Sequence, residues 1–398
     1  MAKPAEATAR PRRDRSTWVA YAQMGTYGGF VYALGASTLL LRDEQMTSRT
    51  VAGLHASAWA LGLIVMSAAN AKVTRRWGRG RSMRLGSILM IIGIAGYTSG
   101  LTTLVTTASV FIAGLGGALM VAGLSAFLAV QQRAAAPAAV SEANALGAVA
   151  GLAAAGAVGV GVVLTLGWRP ALWGLIGVLI ALEVWRGVNV STFDISAQSN
   201  GVVRKTRLPT LFWWTCAVML PAAGVEYCVA LWSAEFLREQ GGLGSGAAAA
   251  SLTSVVAGLI IGRWVGSRIA ERWDPERLLV CAFALAASAF MVVWWSSQAV
   301  VMLAFLLLTG CGIGLHWPLA IARTIRVVPE QADRASGIGL LAAGLAVMTA
   351  PFALGVLADA FGLRTAFLVV PALSLLGVIL VLARPVPLVP ARVEAAEH

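Results

Sequence analysis

"RRWGRGR" occupies residues 75–81, and "ERWDPER" occupies residues 271–277. Their Arg-Trp pairs, Arg76-Trp77 and Arg272-Trp273, stand 196 positions apart. The offset recurs: Gly114 and Gly116 map onto Gly310 and Gly312, and Arg42-Asp43 maps onto Arg238-Glu239. "GWRPALW" from 167 and "GLRTAFL" from 362 align at an offset of 195. Any one match is weak, but matches that share a register describe a chain built from two similar halves.

Composition says what the halves are made of. Hydrophobic residues make up 58% and charged residues 12%, with a mean hydropathy of +0.79. A soluble domain carries about 25% charged residues, so this chain lacks the means to cover itself with a water-compatible surface. A net charge of +12 would suggest nucleic acid in a soluble protein. Here the basic residues fall in short loops, where the positive-inside rule accounts for them, and no nucleic-acid partner is expected.

Runs of about 20 apolar residues cross a bilayer as helices. Twelve are present, at 17–41, 51–71, 83–105, 108–130, 140–166, 169–190, 209–237, 246–269, 277–297, 299–323, 335–358 and 365–383. The basic stretch "RPRRDR" at 10–15 leads straight into the first run, and no cleavable leader is evident. With the N-terminus inside, the outer loops hold Arg42, Arg49, Arg169, Arg238 and Arg364, five of 30 basic residues. That asymmetry places both termini in the cytoplasm of a plasma (inner) membrane. The expected fold is all-α and integral to the membrane, with twelve transmembrane helices in two pseudo-symmetric six-helix bundles. Its parts are a tail at 1–16, bundles at 17–190 and 209–383, a cytoplasmic linker at 191–208 and a second tail at 384–398. Cys216, Cys228, Cys281 and Cys311 all fall within runs, where none suggests a disulfide or a metal.

These features resemble the major facilitator superfamily. Its signature in the loop after the second span is Gly-x-x-x-Asp-Arg-x-Gly-Arg-Arg. In "AKVTRRWGRGR" Arg76, Gly78, Arg79 and Arg81 fit it, while Ala71 replaces the first Gly and Arg75 the Asp. The second-half copy "SRIAERWDPER" keeps an acid, Glu271, beside Arg272. The resemblance implies that this loop latches the cytoplasmic side, and that spans 1, 4, 7 and 10 line a central cavity. "GVEYCVALW" in span 7 and "GCGIGLHWPLAI" in span 10 are similar to proton-coupled sugar carriers of the fucose permease type. The Gly-Pro pair of drug–proton antiporters is missing from span 5, "GAVAGLAAAGAVGVGVV".

Glu226 lies well inside the seventh run. A carboxylate at the bilayer centre costs about 2.5–3.5 kcal/mol on insertion scales. Subtracting 196 maps it onto Phe30, so architecture alone does not require it. At helical spacing its face also carries Thr215, Met219, Ala222, Ser233 and Leu237. The functional reading is a proton-coupling group, and the structural one is a protonated acid donating a single interhelical hydrogen bond. His316 maps onto Met120 and shares a seven-residue stripe with Thr309 and Arg323, which makes it a second proton-coupling candidate or a packing histidine. Gln23, Thr26 and Tyr27 in span 1, with Ser233, Thr309 and Trp317, are candidates for substrate binding or for ordinary helix-to-helix contacts. Arg263, which maps onto Ser67, either snorkels or belongs to a gate.

The expected function is secondary transport of a small polar organic solute, possibly a sugar, by alternating access with protons. The alternatives are a proton-driven exporter and a membrane scaffold that moves nothing. No phosphate-binding loop, metal pair or nucleophile array appears, so neither a cofactor nor enzyme activity is expected. The expected partners are a small solute, protons and membrane lipid, with the chain itself a monomer.

Overall fold

The computed structural model describes residues 11–132, 135–187, 193, 207–270 and 272–386. The two tails lie largely outside these, as does the linker apart from Phe193, Arg207 and Leu208. Glu271 lies outside them altogether.

The first half is built from α1 (Arg15–Gln45), α2 (Arg49–Trp77), α3 (Arg79–Ser99), α4 (Thr103–Gln132), α5 (Ala136–Val163) and α6 (Arg169–Arg186). The second half begins with α7 (Thr210–Gly241). A short α8 (Ser245–Ala250) and α9 (Leu252–Ala270) follow, broken only at Ser251. Then come α10 (Pro275–Trp295), α11 (Ala299–Val327) and α12 (Ala332–Phe361). The chain closes with α13 (Leu363–Ala366) and α14 (Val369–Ala383). Counting α8 with α9 and α13 with α14 gives twelve spans, and among the described residues nine are long and apolar enough to cross a membrane by themselves. The others are α1, α3 and α6. Helix ends follow local chemistry. Asp14 caps α1 by accepting from the Thr17 N–H at 2.8 Å, and Ser48 caps α2. Asp274 caps α10, whose first residue is Pro275.

The repeat is visible as geometry. A Cβ added at Gly62 would stand 2.3 Å from the Phe111 carbonyl oxygen, and one at Gly258 would stand 2.0 Å from that of Leu307. At Gly114 and Gly310 it would meet the carbonyls of Trp59 at 2.4 Å and Val255 at 2.3 Å. At Gly116 and Gly312 it would meet those of Gly86 at 2.5 Å and Ala282 at 2.6 Å. Each glycine and its partner are shifted together by 196 residues. Both halves therefore bring the same helices together through the same backbone contacts, as small residues in membrane helices allow.

The halves meet through α1 on α7, α2 on α12, and α5 on α8 and α9. Large apolar side chains such as Leu104, Val184, Val300 and Leu382 stay exposed around the bundle, as lipid-facing residues do. The molecule is a multi-pass membrane protein.

Candidate functional site

Helix α2 shows how the halves are joined. All of its buried residues lie between Ala52 and Gly62, and residues 63–77 contain none. The end bearing Arg49 is thus packed against the second half, while the end bearing Arg76 is not. These two ends name the faces of the molecule.

On the Arg42 face, charges cross between the halves. Glu235 of α7 is buried and accepts from Arg42 of α1 and, at 2.6 Å, from Nε of Arg49 at the start of α2. Arg49 also pairs with Glu239, and Arg238 of α7 pairs with Asp43 of α1. Asp359 near the end of α12 accepts from the backbone N–H groups of Arg49 at 3.0 Å and Thr50 at 2.7 Å. Asp43 sits below the ordinary carboxylate range. Burial pushes it up, but the hydrogen bond and charge of Arg238, with the charge of Arg42, outweigh that. About two turns deeper along α2, the Ser57 hydroxyl donates to the Met348 carbonyl at 2.6 Å. Deeper still, the Tyr32 hydroxyl of α1 donates to Glu226 Oε1 of α7 at 3.3 Å. These cross-half hydrogen bonds all lie between this level and the Arg42 face.

Glu226 is half-buried at the inner limit of that seam. Around it stand Tyr27, Tyr32 and Tyr227. Tyr27 packs against Trp59 with ring centroids 5.7 Å apart, and the Trp59 indole N–H has no hydrogen-bond partner. Trp59 and Tyr227 help to line a cavity of about 30 Å³ between the halves. Trp317 is half-buried and packs in the same cluster as Tyr227. The structure therefore brings Glu226 and Tyr27 to the region between the halves.

It places the other expected residues elsewhere. Gln23 is buried within the first half, donating to Ser87 and Glu183 at 3.1 Å and accepting from Arg186 at 2.6 Å. Thr26 bonds back to the Gln23 carbonyl, and Thr309 to that of Phe305. Ser233 is buried and its hydroxyl has no partner. His316 does not join Glu226. Its ring stacks on Phe283 of α10, with centroids 4.0 Å apart and planes at 27°, and neither nitrogen has a hydrogen-bond partner. The stripe shared by His316 and Arg323 faces α10, because Arg323 bonds Glu276 at 2.9 Å. Arg326 meets the same carboxylate at 2.7 Å. This cluster and another in the first half, Arg84 and Arg186 around Glu183, clamp helix ends inside each half. Neither cluster figures among the expected site residues, and neither does Glu235. Arg76, Arg81 and Arg272 are exposed on the Arg76 face, with Gly78 and Arg79 half-buried at the α2–α3 turn. Gly78 has a φ of 81°, a conformation that glycine adopts without strain.

Residues 210–397 match the model of the Major Facilitator Superfamily. Over 94% of its length the chain superposes on a bacterial homologue of the human lysosomal transporter Spinster, in an inward-facing and unoccupied conformation. That match covers 97% of the other chain, with a TM-score of 0.72 at 14% identity. The chain has the major facilitator fold. It is similar also to a D-xylose–proton symporter (TM-score 0.73, 14% identity, 94% of this chain and 98% of that one). The E. coli fucose:proton symporter FucP gives a TM-score of 0.61 at 15% identity, over 94% and 99% of the two chains. No curated protein matches the chain by sequence. Within the major facilitator fold, Glu226 occupies the seventh span and its tyrosine donor Tyr32 the first, so the pair straddles the two bundles.

Proposed function

We propose that this major facilitator chain is a proton-coupled secondary carrier of a small polar organic solute. It works by alternating access, with both termini in the cytoplasm, and the Arg76 face is then the cytoplasmic one. Cross-bundle ion pairs close the Arg42 face, in keeping with an inward-facing state. The observation that carries the reading is Glu226. It is a carboxylate in a membrane span, half-exposed between the bundles, held by one long hydrogen bond from the opposite bundle. Protonation changes what that carboxylate can accept from Tyr32, and so links proton occupancy to a contact that must break when the bundles rock. Tyr27, Tyr227 and Trp317 offer hydroxyls and ring faces to a polar solute. The solved structures whose fold it shares include two sugar–proton symporters, in keeping with this class of solute.

The test uses protein in liposomes loaded with a pH-sensitive dye, challenged with sugars, polyols and hydroxy acids under an inward pH gradient. Wild type is expected to acidify the lumen with one class of solute. Glu226→Gln is expected to lose that proton flux while still exchanging solute against solute. Proton-coupled uptake at the wild-type rate in Glu226→Gln would overturn the assignment.

A further inference from the structure

Helix α11 carries Pro318 in its interior. A proline has no N–H, so the carbonyl one turn earlier, that of Gly314, loses its helical donor. An unpaired carbonyl inside a bilayer is costly, and membrane helices keep prolines where a neighbouring helix supplies the missing donor. Here the donor is Arg263 of α9, whose Nε–H bonds the Gly314 carbonyl at 3.4 Å. The two backbones touch at this level. A Cβ added at Gly314 would stand 2.6 Å from the Leu259 carbonyl oxygen and 3.3 Å from the Arg263 nitrogen, and one at Gly262 would stand 2.1 Å from the Cys311 carbonyl oxygen.

The first half has neither part of this contact. Subtracting 196 takes Pro318 to Ala122, Gly314 to Ala118 and Arg263 to Ser67. Ala122 has the N–H that Pro318 lacks, so nothing at Ser67 is needed. The glycine contacts nearby are kept in both halves, Gly258 and Gly310 matching Gly62 and Gly114. The proline and the arginine thus appear together, at one contact, on a shared framework. Snorkelling does not account for Arg263, which lies seven residues before the end of α9 at Ala270, about 10 Å along the axis. Arg323 and Arg326 of α11 bond a carboxylate, Glu276; Arg263 bonds backbone.

Pro318 divides α11 into two parts that are held differently. The part before it packs on α9 through Gly258 and Gly310. The part after it runs to Arg323 and Arg326, which Glu276 ties to α10. Trp317 stands at the join, in one apolar cluster with Met219, Ala222 and Tyr227 of α7. With a helical bond missing, less holds the angle between the parts, and that angle sets where the Trp317 ring stands. Resting on the carrier reading above for the role of Trp317, we propose that Arg263 is a positioning residue. Its guanidinium replaces the N–H missing at Pro318, pins the bend of α11 against α9, and so fixes Trp317 for the solute.

The experiment is a double-mutant cycle of Arg263→Met and Pro318→Ala. Spin labels stand at Ala71 of α2 and Ala322 of α11, both exposed, in a background whose own four cysteines are replaced by alanine. Arg263→Met is expected to broaden the distance distribution, because the bend loses its pin. In Pro318→Ala the Gly314 carbonyl regains a helical donor, so adding Arg263→Met there is expected to change nothing. In the dye-loaded liposomes, Arg263→Met is expected to raise the half-saturating solute concentration about tenfold and to leave the maximal rate nearly unchanged, a split that loss of folded protein does not give. A distribution unaltered by Arg263→Met, or broadened equally with and without Pro318, overturns the proposal. Altered distances with an unchanged half-saturating concentration overturn the positioning role. An Arg263→Met protein that folds only when Pro318→Ala is added supports the pin, and one that fails to fold in both backgrounds overturns it. A wild type that moves no solute counts against the carrier reading alone, and the distances still decide whether Arg263 holds the bend.

Discussion

Glu235 holds two arginines of the opposite bundle with one carboxylate, and its side chain is 2% exposed. Removing one partner of a buried pair costs about 3–5 kcal/mol, because the remaining charge is left uncompensated. Here that cost falls only on the state closed at the Arg42 face, since opening returns Arg42 and Arg49 to water. Glu235→Gln is therefore expected to shift the population toward the form open on that face, by about a hundredfold. Distances between spin labels placed across the seam would show it, as a longer component that grows in the variant; an unchanged distribution would mean that the apolar contacts alone keep the face shut. The residue scale also shows what sequence could convey. Glu226 stood out because a carboxylate inside an apolar run is costly and the repeat puts Phe30 at its counterpart. Glu235 sits nine residues later, at the end of the same run, where a charge looks interfacial. Its importance comes from Arg42 and Arg49, whose positions nothing local to residue 235 reveals.

Helices meet in this fold through glycines, and two of them separate bundle stability from bundle motion. Gly62 lies inside the first bundle, where an added Cβ would come 2.3 Å from the Phe111 carbonyl of α4. Gly35 of α1 lies on the seam, where a Cβ would come 2.5 Å from the Ala230 carbonyl of α7. Overpacking costs about 1–3 kcal/mol. Gly62→Ala is expected to lower the melting temperature whatever the conformational state. Gly35→Ala is expected to leave the melting temperature nearly unchanged and to open the Arg42 face, since the two bundles can part. Equal losses of stability from both would show that the seam is part of the folded core. The register of 196 residues was legible because both members of each glycine contact moved together. The periodicity of α11 was legible too, but it says which residues share a face and not what the face meets. Thr309, His316 and Arg323 lie on one stripe, and that stripe meets α10, because the glycines between them bring α9 and α10 close.

For the molecule as a whole, the question is which acid answers a pH gradient. The Asp43–Arg238 pair closes the Arg42 face, and Asp43 is held below the ordinary carboxylate range despite its burial. In the form open on that face the same carboxyl meets water and titrates near its ordinary value, about 3.9. The open form therefore binds the proton more readily. The pair's contribution to closure is complete above about pH 4 and is lost as pH falls through the depressed value of the closed form. Wild type and Asp43→Asn are thus expected to differ in closed population by a constant amount from about pH 8 to pH 5, and to converge only below about pH 4. Spin-label distances measured across the face in both proteins at each pH would test this. Convergence already at pH 6 would show that the closed carboxyl titrates much higher than its neighbours imply. With the difference constant, a physiological gradient passes this pair by, which is what the proposed assignment of proton coupling to Glu226, bonded to Tyr32 of the opposite bundle, requires.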